Sequence, residues 1–357
     1  MRQQSVSSAY AAAELRARDH RASHDFSEAA KSATAAADIA LNDGDLESWW
    51  SMTYFRAESY LSDANFEACA DTASALVGGL QAISPQLRAQ VHILVAKAHQ
   101  GSGLLESAAA EARAAVELTN DEADIDINVK ARQALIAALA DSGKLTDAWS
   151  ESMGLARVIS DEVDDQLAGK AYWVIGNVAF LCDDIAAGLR YHELAASTFS
   201  PARDLNVWAK FNKASAAMRL AANVADPDTF RCIERAELAT DVIGGSENDM
   251  LLLKRNRAHW SFLAGDAKSA IALLEEICGT GTASLQVVAD AWFLLGRAYL
   301  ATGDKNAARQ ALSESVVHFE NAGAPHRAQQ ARDFLRAELG RASFWSWLVR
   351  VTGFDRS

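Results

Sequence analysis

A short helix-breaking turn followed by a small residue recurs along this 357-residue chain at almost constant spacing, and no other feature restricts its fold as strongly. The turns lie at 25–29, 63–68, 103–108, 143–148, 183–188, 265–270 and 303–308, closing on Ala29, Ala68, Ala108, Ala148, Gly188, Ala270 and Ala308. The interval from 188 to 270 spans two periods, and the segment 221–229 with Pro227 supplies the turn between them. A repeat of about 40 residues with one internal turn reads as a helical hairpin.

Eight hairpins account for residues 1–324, at about 8–43, 46–83, 85–120, 124–160, 165–200, 204–244, 247–279 and 282–323. Acidic or Gly/Pro-containing connectors join them, such as 42–45, Ser84-Pro85, 120–124 and Gly244-Gly245. The small residue after each turn has a packing reason, because antiparallel helices approach most closely where a side chain ends at Cβ. Half of the residues are hydrophobic and only 4 are proline, none inside an apolar-periodic run, so turn-rich sandwiches and barrels are disfavoured. The expected fold class is all-α, a right-handed α-solenoid of about eight hairpins with a C-terminal capping helix.

The eighth hairpin carries a family pattern. Trp292-x-x-Leu295-Gly296-x-x-Tyr299, Gly303-Asp304 and Ala308-x-x-x-Leu312 resemble the tetratricopeptide repeat (TPR). The seventh hairpin shares the back half, Gly265-Asp266 and Ala270-x-x-x-Leu274, and the fifth shares Gly176 and Gly188. The period exceeds the family's 34 residues, as in the elongated partner-binding arrays of bacterial regulatory proteins. The stretch 307–335, with Val316, Val317, Phe319 and Ala322-Gly323, looks like the sensor halves of actinobacterial helix-turn-helix regulators. Since the first hairpin begins near Ser8, direct DNA binding is not expected.

The resemblance implies that the first helix of each hairpin lines a concave groove, with groove residues 18, 15, 11 and 8 positions before the small residue. These offsets select Lys97 in the third hairpin and Lys130 in the fourth. They select Lys170, Trp173, Asn177 and Phe180 in the fifth and, allowing for the insertion in its turn, Lys210 and Lys213 in the sixth. Arg255, His259 and Phe262 follow in the seventh, and Phe293 and Arg297 in the eighth, where Asp290 is the one acid of the set. Lys130, Lys170 and Lys210 repeat every forty residues in a chain of formal net charge -13. A basic groove with aromatic steps suits an extended acidic peptide or a protein segment, and Asn177 could hold its backbone. The other reading of the same lysines is a set of ordinary solvated side chains near helix starts. Trp49, Trp149, Trp208 and Trp260 read as structural.

The net negative charge argues against unselective binding to nucleic acid or anionic membrane. No apolar stretch has the length of a signal peptide or membrane span, and Cys69, Cys182, Cys232 and Cys278 form no CxxC pair. A cytoplasmic protein with core cysteines and neither a metal nor a cofactor is expected. Gly279-Thr280-Gly281-Thr282 lacks the lysine of a phosphate loop, and His192-Glu193 lacks a second histidine at Ala196. His20 and His24 beside Asp19 and Asp25 read as a solvated helix end, and Asp124-x-Asp126-x-Asn128 as a capping connector.

Residues 325–357 differ from the array, with Phe344, Trp347, Leu348, Val351 and Phe354 at helical spacing and Trp345 to one side. They read as the cap of the last hairpin, or as an interface for a partner or a homodimer. The leading functional expectation is a non-enzymatic regulatory adaptor that receives a peptide or protein in the groove. Two alternatives stand beside it. One is a signalling-peptide receptor acting as an anti-activator of a transcription regulator; the other is a structural homo-oligomeric scaffold.

Overall fold

The computed structural model describes residues 7–78, 84–119 and 125–340, and among these every regular element is helical. Contacts gather into two compact units, Met1–Thr198 and Phe199–Ser357. The first holds five hairpins: α1 (Ser8–Ala22) with α2 (Phe26–Asn42), α3 (Leu46–Ser62) with α4 (Phe66–Gly78), α5 (Pro85–Gly101) with α6 (Leu105–Leu118), α7 (Ile125–Asp141) with α8 (Leu145–Val158), and α9 (Asp165–Leu181) with α10 (Ile185–Thr198). The second holds α11 (Leu205–Ala221) with α12 (Pro227–Ile243), α13 (Glu247–Leu263) with α14 (Ala267–Gly279), and α15 (Leu285–Thr302) with α16 (Lys305–Asn321). It ends in α17 (Pro325–Leu335) and a π-helical turn, Arg336–Gly340. The apolar stripe expected between Phe344 and Phe354 lies outside the described residues.

One local device makes all eight hairpin turns. Each first helix ends at a residue of positive φ: His24, Ala64, Gly103, Gly143, Asp183, Asn223, Gly265 and Gly303. In the eighth hairpin the Gly303 amide donates to the Leu300 carbonyl at 3.1 Å and the Asp304 amide to that of Tyr299 at 3.0 Å, the paired bonds that close a Schellman end. Asp304 then caps the next helix by accepting from the Ala307 amide at 3.0 Å. Asp25, Asp184 and Asp266 do the same in their turns, so the residue that ends one helix starts the next. The sixth turn differs because Val224 and Ala225 stand between Asn223 and the cap Asp226, and Pro227 opens α12. Those two extra residues account for its irregular sequence.

The small residues sit where helices touch. Ala29, Ala108, Ala148, Ala270 and Ala308 are all fully buried, and in the second hairpin the buried post-turn residue is Cys69, one position after Ala68. A Cβ added at Gly296 would stand 2.5 Å from Leu312 Cγ and 3.3 Å from the Ala308 carbonyl oxygen, so α15 and α16 are in backbone-close contact there. Successive first helices also pack on one another, α3 on α5, α5 on α7 and α7 on α9 in the first unit, α11 on α13 and α13 on α15 in the second.

Trp49 and Trp149 pack against the cores of the first unit, and Trp260 against Phe230 with ring centroids 4.4 Å apart. Trp208 lies 6.2 Å from the Phe211 ring. The four cysteines are free thiols; burial pushes Cys69 up to about 11 and Cys278 up to about 12. α17 closes the last hairpin through buried Ala328 and Ala331, which join Ala289 and Phe319, and through Phe334 against Phe293 at 5.4 Å. No described helix is long and apolar enough to cross a membrane.

Candidate ligand-binding site

In the first unit, three of the residues selected by the offsets form a basic face. Lys97 on α5, Lys130 on α7 and Lys170 on α9 are exposed, and none makes an ion pair with a described residue. Burial of the Lys97 ammonium by surrounding protein lowers its pKa although water still reaches the side chain. Glu58 on α3 acts in the opposite direction, and the charges of Lys130 and Lys170 add to the lowering. Glu58 is itself shared, because Arg21 on α1 meets it at 2.9 Å. The face therefore has one partly neutralised carboxylate against three lysines.

The other fifth-hairpin residues divide. Trp173 lies one turn after Lys170 on the same face of α9 and is half-buried. Asn177 and Phe180 are engaged inside the hairpin: the Asn177 amide oxygen is 3.1 Å from His192 Nε2, and the His192 ring meets Phe180 edge-on at 5.1 Å. Phe180 is only 7% exposed, because Gly188 leaves a space that its ring fills. Phe180 is thus a wall of the hairpin core, and it offers no aromatic step to a ligand.

In the second unit, the selected residues have different fates. Lys210 is exposed and makes no ion pair with a described residue. Lys213 is tied to Asp249, the third residue of α13, whose carboxyl also completes a capping box with Ser246. The hydrogen bond from Lys213, then that from Ser246, holds the Asp249 carboxyl below its usual range. Arg255 pairs with Asp290 at 2.8 Å, and Arg327 of α17 reaches the other oxygen of Asp290, also at 2.8 Å.

Around these groups lies a cavity of about 240 Å³, bounded by Arg255 and His259 of α13, Asp290, Phe293 and Arg297 of α15, and Arg327 of α17. Arg297 stacks over the Phe262 ring, 5.0 Å from its centroid, and makes no ion pair with a described residue. Burial lowers the pKa of both Arg255 and Arg297. His259 is held neutral: burial, then the charges of Arg297 and Arg255, bring it down to about 4, and its Nε2 is buried without a hydrogen-bond partner among the described residues. The offsets found Arg255, His259, Phe293 and Arg297, but missed Arg327. That residue belongs to the capping segment, whose sequence shows a basic composition and not which helix it faces.

No protein-family model matches the chain, and no curated protein matches it. Among solved structures, the apo quorum sensor NprR from B. thuringiensis is similar with a TM-score of 0.57 at 12% identity, over 92% of this chain and 87% of that one. The Rap conjugation gene regulator of plasmid pLS20 in complex with the Phr* peptide gives 0.54 at 12%, over 92% and 96%. Aspartyl phosphate phosphatase F from Bacillus subtilis gives 0.54 at 12%, over 80% and 75%. At these identities the likeness is one of fold, and it agrees with the TPR pattern of the eighth hairpin: the chain has the all-helical, TPR-like hairpin architecture of these regulators.

Proposed function

We propose that the protein is a cytoplasmic regulatory adaptor without chemistry of its own, which receives an acidic peptide or protein segment on the first-helix face of its first unit. The observation that carries this reading is the group Lys97, Lys130 and Lys170. Lys130 and Lys170 both lie close enough for their charges to act on Lys97, none of the three makes an ion pair with a described residue, and an acidic ligand relieves that repulsion. In a chain of net charge -13, such a local surplus also steers acidic ligands toward one face. Trp173 beside Lys170 supplies apolar area for the side chains of an extended ligand.

The likeness in fold to a quorum sensor and to a regulator holding the Phr* peptide supports a peptide as the ligand, and favours a second, narrower reading. In it the ligand is a signalling peptide, and the protein acts by sequestering a transcription regulator. One similar structure is a phosphatase, whereas the lysine face of this chain offers a ligand charge and contact area.

Affinity selection from a pool of random hexapeptides, read by native mass spectrometry, tests the proposal. The wild type should enrich peptides containing Asp and Glu, and the Lys97→Gln/Lys130→Gln/Lys170→Gln variant should not. Identical selections by the two proteins would refute it.

A further inference from the structure

The cavity of the second unit has a charge surplus that its own residues leave unmet. Three guanidiniums, of Arg255, Arg297 and Arg327, stand around one carboxylate, Asp290. Arg255 and Arg327 each spend one contact on Asp290, while Arg297 has only the Phe262 ring, a partner that stabilises a cation without neutralising it. His259 adds no charge, since its ring is neutral at ordinary pH. The surplus is thus two positive charges around about 240 Å³. That volume lies below the roughly 300 Å³ at which pockets begin to enclose drug-sized ligands, so it takes one compact anionic group.

We propose that this cavity binds a phosphoryl dianion, with Arg297 as its principal partner and Arg255 and Arg327 completing the shell. Charge decides between the small anions: a carboxylate would leave one positive charge unmet, and a phosphoryl group near neutral pH carries close to two negative charges. Three guanidiniums also match the three terminal oxygens of a phosphoryl group, and planar bidentate donation is the geometry for which arginine is suited. The phosphoryl group can belong to a small organic phosphate or to a phosphorylated peptide. The inference does not rest on the lysine face, which lies in the other unit.

His259 reports occupancy. It sits on the cavity wall among Arg255, Arg297, Arg327 and Asp290, and an anion beside it favours the imidazolium. With phenyl phosphate bound, its pKa should rise from about 4 by about one to three pH units, followed by NMR on ¹³C-histidine protein with His259→Gln fixing the assignment.

Binding is measured calorimetrically for phenyl phosphate, a phosphoserine peptide and benzoate. Phenyl phosphate should bind at least tenfold more tightly than benzoate, Arg297→Gln should weaken it at least tenfold, and Arg297→Lys should retain part of it. The triple lysine variant of the first unit should bind it unchanged, which separates this site from the peptide-binding proposal. A phosphoserine peptide tenfold tighter than phenyl phosphate would place the phosphoryl group on a peptide, and the reverse order on a small molecule. Equal affinity for benzoate, an unmoved His259, or full binding by a folded Arg297→Gln protein would each overturn the proposal.

Discussion

Ala64 holds a left-handed backbone, with φ of 57°, at a turn where four of the eight equivalent residues are glycine. An L-residue with a Cβ in that region costs about 1–2 kcal/mol, which Asp183 and Asn223 offset in part through their short polar side chains and Ala64 does not. Replacing Ala64 by glycine should therefore stabilise the protein by about 0.5–1 kcal/mol in urea unfolding, the relief of strain exceeding the entropy glycine adds to the unfolded chain. Gly303→Ala should cost a similar amount, and a loss of stability in Ala64→Gly would contradict the account of the turn. At this scale the sequence located the turns, those at 25–29 and 63–68 included, but marked the left-handed residue only where it is glycine; His24 and Ala64 do not advertise that role. The second hairpin shows the same limit: Ala68 and Cys69 are both small, and only packing selects Cys69 as the buried one.

Helices were legible from periodicity, but offsets from a turn fixed the outward face only in part: Lys97, Lys130 and Lys170 are exposed, whereas Asn177 and Phe180, selected by the same offsets, are engaged inside the hairpin. What offsets do not fix is the partner contributed by a helix some 35 residues away. Lys213 shares the register of the cationic set, yet Asp249 of the next first helix neutralises it. Arg255 is bound in the same way by Asp290, with Arg327 from α17 on the second oxygen. This last triad ties α17 to α15 alongside the Phe293–Phe334 ring contact. Asp290→Asn leaves both guanidiniums without their counter-ion, and hydrogen exchange should rise across α17 while α1 to α10 keep their protection. Unchanged exchange in α17 would show that apolar contacts alone hold it.

Across the whole molecule, a net charge of -13 sits beside an exposed group of lysines in the first unit, so the global balance does not describe that face. Composition averages over faces, whereas ligands meet one face at a time. Stability against pH carries a second consequence, from His259. Its pKa falls from an ordinary 6.5 to about 4 on folding, so between these values the unfolded chain binds the extra proton and the folded one does not. Its contribution is fully present above pH 6.5 and is lost as pH falls toward 4, by up to about 3 kcal/mol. His259→Gln should flatten that part of the acid-unfolding curve, and an unaltered curve would show that the ring titrates normally.

The dissociation constant of an acidic hexapeptide from the selected pool, measured by fluorescence anisotropy at low and high salt, bears on the central claim most directly. Three partly exposed charge pairs at about 0.2–1 kcal/mol each predict a loss of about tenfold in the Lys97→Gln/Lys130→Gln/Lys170→Gln variant, together with a weaker dependence on salt. The same affinity and the same salt dependence in both proteins would contradict the claim that this lysine face receives the ligand.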